Sequence, residues 1–157
     1  MNETDSAPDF DEYSWHDNIV YALRFNVGDA SQGDWRHQLI FDIDSIVEWV
    51  PGGERGARFR VAPATLTFHD VTDLRIGVDF GDSNCTTAIN DLSIAAISRE
   101  PFDDKKRFPD QDYYRWRIEL NLPQGGEIVF GARGFTQTLR AEPVLLDEQR
   151  LPPGNRR

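Results

Sequence analysis

The stretch Phe59–Phe80, FRVAPATLTFHDVTDLRIGVDF, decides how this chain is read. In its second half Leu74, Ile76, Val78 and Phe80 alternate with Arg75, Gly77 and Asp79. Successive side chains of a strand point to opposite faces, so a period of two predicts a strand with one face on a core and one in water. Leu66 and Phe68 alternate with Thr65 and Thr67 in the same way. His69–Asp73 lies between the two runs and is rich in Asp and Thr, whose side chains hydrogen-bond nearby backbone and favour turns. The stretch therefore predicts a hairpin or a strand-corner-strand unit. Phe59 and Val61 fall on odd numbers, Leu66 and Phe68 on even ones, with Pro63 between. Proline lacks the N–H that a ladder needs, so a phase change beside it predicts a bulge or kink on an edge strand.

Working outward, the same period recurs. Towards the amino end, Ile19, Tyr21, Leu23, Phe25 and Val27 alternate with smaller or polar residues, and Gly28–Asp34 reads as a loop. Leu39, Phe41 and Ile43 predict a second strand to about Asp44, then a turn at Asp44-Ser45 and a further extended piece ended by Pro51-Gly52-Gly53. Towards the carboxyl end a strand is expected within residues 86–100. Tyr114, Trp116, Ile118, Leu120 and Leu122 define a strong strand whose inner face includes Trp116. Pro123-Gln124-Gly125-Gly126 is a hairpin turn, Ile128–Ala132 returns, and Phe135–Ala141 supplies a last strand. Strands at this spacing with Gly/Pro turns predict an all-β protein, an antiparallel β-sandwich or flattened barrel of about seven to nine strands with little helix.

The chain has 157 residues, one domain's worth, and at that size roughly 68–70% of the unfolded surface is buried. Residues 1–12 are expected as an acidic flexible lead-in held by Phe10 or Tyr13, 13–146 as a single β domain, and 147–157 as a polar C-terminal tail. The formal net charge is −10, and Glu3, Asp5, Asp9, Asp11, Glu12 and Asp17 crowd residues 1–18 without a Lys or Arg. Such a surface repels nucleic-acid phosphates and anionic lipid and favours a basic partner or simple solubility. Cys85 is single, which leaves no intrachain disulfide. The acidic start has no signal-peptide pattern and no apolar run reaches membrane-helix length, so a cytoplasmic location is expected.

Motifs for chemistry are few. His16-Asp17 and His69-Asp70, with His37 as a further imidazole, could hold a transition metal if the two corners met. No HExxH or HxH spacing supports that, and the plainer reading is that Asp17 and Asp70 cap turns. Cys85 and the serines lack a nucleophile-elbow context, the glycine pairs lack the phosphate-loop pattern, and Lys105-Lys106-Arg107 follows two Asp and reads as a neutralised loop tip. No cofactor is expected. Among aromatics that could meet a partner or a sugar are Trp15, Trp35, Trp49, Tyr113 and Trp116. Trp35, in a polar loop, is the best candidate for exposure, with Trp15 second.

Trp15-His16-Asp17 before the first strand, Phe68–Leu74 at the corner and the late pair Tyr114–Leu122 and Ile128–Ala132 together resemble small bacterial β-proteins, some grouped with the immunity proteins of polymorphic toxin systems. The resemblance spans residues 13–141 as a layout. It implies a non-enzymatic all-β protein that binds another protein, and it carries no active-site residues. The expectations are a protein-binding domain with a basic protein partner and without nucleic acid or membrane. The alternatives are a small-ligand or carbohydrate-binding module, a metal-dependent enzyme using the two His-Asp corners, and self-association through an edge strand near Pro63.

Overall fold

The computed structural model describes residues 9–82, 89–102 and 112–157. Nine strands form one antiparallel sheet: β1 Ile19–Val27, β2 His37–Pro51, β3 Ala57–His69, β4 Thr72–Gly77, β5 Leu92–Pro101, β6 Tyr114–Leu122, β7 Glu127–Ala132, β8 Gly134–Leu139 and β9 Val144–Leu146. Their order is β4-β7-β6-β5-β1-β2-β3-β8, with β9 also on β3, and the sheet is not closed into a barrel. Three short 3-10 turns, at Phe10–Glu12, Ala30–Gln32 and Pro153–Asn155, are the helical structure among the described residues. None of these is long and apolar enough to cross a membrane.

The sheet folds over on itself at the corner between β3 and β4. β3 and β4 do not pair with each other: β3 pairs with β8, and β4 pairs with β7. The unit is a strand-corner-strand, not a hairpin. Asp70 (φ 57°) and Asp73 (φ 53°) make the corner by adopting the left-handed conformation, which Asp tolerates better than bulky residues. β7 and β8 bend beside it at Arg133, whose N–H donates to the His69 carbonyl at 3.0 Å. Gly131 lets β7 approach β4, since a Cβ there would sit 2.7 Å from Thr72 Oγ1. The fold brings β3 face to face with β6 and β7, placing the Phe68 ring 5.1 Å from Trp116 and 4.7 Å from Phe130.

Two apolar clusters result. The inner one lies between the layers and includes Leu39, Phe41, Ile43, Leu66, Phe68, Trp116, Ile118, Ile128, Phe130 and Phe135, with Phe10 and Tyr13 packed against it. The outer one, Ile46, Phe59, Val61 and Leu151, lies apart from it. β3 serves both. Leu66 and Phe68 belong to the inner cluster, Phe59 and Val61 to the outer one, and every residue from Val61 to Ala64 is buried.

This arrangement corrects the expectation at Pro63. The β2–β3 register runs unbroken through Asp44↔Pro63, and the bulge lies in β2, between Ile46 and Glu48. The phase changes because β3 exchanges which face is covered. Nor is β3 an edge: β2 flanks one side, and β8 and β9 share the other. Pro63 sits in the gap between them, after Val61↔Val144 and before Ala64↔Leu139. Its carbonyl accepts from Arg140 N there at 2.7 Å, so the missing N–H falls where the ladder is already interrupted. The edge strand expected at Pro63 is therefore an interior one. β2 likewise continues through Asp44-Ser45 without the expected turn, because both residues are buried within the sheet.

The C-terminal segment is what covers the outer face. Leu151 is 1% exposed, so the stretch expected as a polar tail supplies a core residue. Arg156 reaches Asp44, which is fully buried, through Nε to Oδ1 at 3.1 Å and Nη2 to Oδ2 at 2.6 Å. Leu151 N donates to the same carboxylate at 3.2 Å, and Asp91 lies 3.4 Å from Arg156. Burial opposes the Arg156 charge, but the hydrogen bond and charge of Asp44, with Asp91, outweigh it and hold the guanidinium above its ordinary pKa.

Candidate functional site: the loop between β1 and β2

The two His-Asp corners serve different parts of the fold. Asp17 (φ 65°) turns the chain into β1; its carboxylate accepts from Asn121 at 3.0 Å and Gln149 at 3.1 Å, and its N–H donates to Ile94 O at 2.8 Å. His16 is exposed, 3.5 Å from Asp17. His69 lies between Gln38 at 3.2 Å and Thr136 at 3.1 Å, while Asp70 pairs with Arg133 at 3.1 Å and its carbonyl accepts from Tyr113 OH at 2.7 Å. Asp17 is thus tied to β5, β6 and the C-terminal segment, and His69 and Asp70 to β2, β8 and the Arg133 bend. Among the described residues no group of three or more His, Cys, Asp or Glu could hold a metal ion. Both Asp residues act as left-handed corner formers. His37 pairs with Val27 in the β1–β2 ladder, and its carbonyl accepts from Val71 N. Cys85 and Lys105-Lys106-Arg107 lie outside the described residues.

The aromatics divide sharply. Trp15, expected as a contact for a partner, is 4% exposed. It stacks on Tyr13 at 5.3 Å, meets Phe135 edge-on at 5.4 Å, and donates from its indole N–H to Gln137 Oε1 at 2.7 Å. It is a core residue, because every polar and apolar part of its ring finds a partner inside. Tyr113 and Trp116 are also buried, Trp116 donating to the Ala132 carbonyl at 3.1 Å. Trp49 is half exposed and leans edge-on against Phe59. Trp35 is 71% exposed.

Trp35 stands on a loop held by its own bonds. Asp29 caps the 3-10 turn Ala30–Gln32 by accepting from Ser31 N at 2.9 Å. Asp34 N returns to Asp29 O at 3.0 Å, and Gly28 N donates to Arg36 O at 2.7 Å. Arg36 grips Asp34 with Nε at 3.0 Å and Nη2 at 3.1 Å. Only glycine fits at position 28, where a Cβ would come 2.6 Å from the Asp34 carbonyl oxygen. Hydrogen bonds from Ser31 hold the Asp29 carboxyl below its usual range, and the Arg36 side chain does the same for Asp34. The loop therefore presents a large exposed aromatic between the ion-paired Asp34 and Arg36. Such an arrangement can bind through apolar contact with a charged rim.

Among the described residues, open grooves lie elsewhere. One of about 310 Å³ crosses the outward faces of β5 and β6 among Arg115, Arg117, Glu100 and Glu119. Another, about 420 Å³, runs beside Ile19, Ala57, Phe59, Asp147 and Glu148. Sequence reasoning missed the Asp44–Arg156 contact altogether. Its members lie 112 residues apart, and no local pattern joins them. No family model, no curated protein and no solved structure matches this chain.

Proposed function

We propose that this chain is a non-enzymatic, cytoplasmic protein-binding β domain with a basic partner, an immunity-type role being its sharpest form. The observation that carries the reading is Trp35, 71% exposed on a loop already ordered by Asp29, Asp34 and Arg36. Tryptophan is enriched in binding hot spots, and an anchor carried on a loop ordered beforehand spares the cost of ordering that loop on association. The net charge of −10 supports a basic partner, since opposite charge speeds encounter and selects against acidic competitors.

The test is affinity purification of the whole chain from its source cell, at low and high salt, beside Trp35→Ala. The reading expects one basic protein at one-to-one stoichiometry. High salt should release it, and Trp35→Ala should weaken it by at least about 2 kcal/mol, the scale of a hot spot. An affinity unmoved by both salt and Trp35→Ala, or no partner at all, sinks it.

A further inference from the structure

Among the described residues β1 carries an open edge. It pairs with β5 only at Ile19↔Ser93 and Val20↔Leu92, and among the described residues nothing pairs with it on that side from Ala22 to Val27. The bonding direction along this edge follows from the β1–β2 ladder. Gly28 N donates to Arg36 O, and the register continues as Asn26↔Gln38 and Arg24↔Ile40. In an antiparallel ladder, bonded and non-bonded pairs alternate. The backbone groups of Arg24 and Asn26 therefore face β2, and those of Leu23, Phe25 and Val27 face the open side. The side chains of these three share a face with Phe41, Leu39 and His37, their opposites in β2. Leu23 packs on the inner cluster, while Phe25 is 57% and Val27 69% exposed.

We propose that this edge pairs with the same edge of a second copy, in an antiparallel two-fold register centred on Phe25. The pattern Leu23-Arg24-Phe25-Asn26-Val27 is self-complementary about that centre. Phe25 meets Phe25 of the second copy, and Leu23 meets Val27, each exchanging N–H and C=O bonds in both directions. Arg24 meets Asn26, so no like charges oppose one another, and Arg24 is already paired with Asp42 of its own chain. The stretch from Ala22 to Val27 has no carboxylate, which makes it a place where a chain of net charge −10 can approach its own copy. The two-fold operation is the commonest in soluble oligomers and lets one patch serve both sides. Two loops carrying Trp35 then lie at opposite ends of the joined strands, so the pairing is independent of the partner reading and leaves it intact.

Sedimentation velocity of the whole chain from about 1 to 100 μM decides the matter, with Phe25→Pro alongside. Proline at position 25 removes an N–H that faces the open side, so the monomer keeps its fold and its β circular dichroism. The expected result is a concentration-dependent dimer for the wild type and a monomer for Phe25→Pro. If Phe25→Pro loses the β signal, Phe25→Lys replaces it; two ammonium groups at the centre should weaken the dimer at least about tenfold at low salt. A wild type that stays monomeric to about 100 μM overturns the proposal, as does a dimer that the folded variant leaves unchanged.

Discussion

The inner and outer clusters are both apolar, yet they are closed by different means. Inside, the sheet folds over and buries aromatic rings against one another, Phe68 meeting Phe41 at 6.0 Å, Trp116 at 5.1 Å and Phe130 at 4.7 Å. Outside, Ile46, Phe59, Val61 and Leu151 form a small patch, and the segment covering it is tied by Arg156 to the buried Asp44. Hydrophobic burial is proportional to area and indifferent to direction, so the large cluster needs no charge to close it. The small one has little area to offer a long segment. The ion pair costs desolvation but punishes any arrangement that leaves Asp44 alone. Size, in this molecule, separates a face closed by packing from a face closed by a latch.

The comparison can be broken at either end. Phe68→Ala, which opens the inner cluster, should cost about 3–5 kcal/mol in urea unfolding; a loss below about 1.5 kcal/mol would mean the aromatic packing is not what holds the layers together. Arg156→Met should cost about 3 kcal/mol, because it strands a buried carboxylate, whereas Asp44→Leu with Arg156→Met should restore most of that loss. If the double variant is as unstable as the single one, the latch works by shape and not by charge. Leu151→Ala should cost about 2 kcal/mol while leaving the near-ultraviolet signal of the inner aromatics unchanged. Trp35→Ala, belonging to neither cluster, should alter stability by less than about 0.5 kcal/mol.

Acid should reveal the smallest effect. Asp29 and Asp34 are held below their ordinary value of 3.8, so they favour the ordered loop above that value and lose this as pH falls through their lowered range. The indole NMR signal of Trp35 should therefore hold its position from neutrality to about pH 4 and move only in stronger acid. A signal that stays in place in strong acid would show that Asp29 and Asp34 do not order the loop.

Alternation made most strands legible, β6 above all, where Trp116, Ile118 and Leu120 all turned inward. It misled at Pro63, because a phase change in one strand has two causes that look alike in sequence. A bulge was expected; a second covered face was the reality, and Leu151, which covers it, lies far along the chain. The same limit hid Asp44, whose charge argued for a turn until its partner at Arg156 was in view. At the candidate site the polar loop around Trp35 was readable from composition. Trp15 was not, since a neighbourhood of Tyr13, His16 and Asp17 says nothing of Phe135 and Gln137, which enclose it in space. The repeated His-Asp dipeptide marked two places where the backbone turns left-handed.

The latch between Asp44 and Arg156 also sets an order of events during synthesis. The carboxylate leaves the ribosome 112 residues ahead of the guanidinium that neutralises it. At about 5–20 residues per second, several seconds separate them. Through that interval Asp44 stays in water and the outer face stays open, however far β2 and β3 have paired. The inner layers can begin to assemble as the chain emerges; the outer face is finished only once Arg156 is out, which makes the nascent chain a different surface from the finished one.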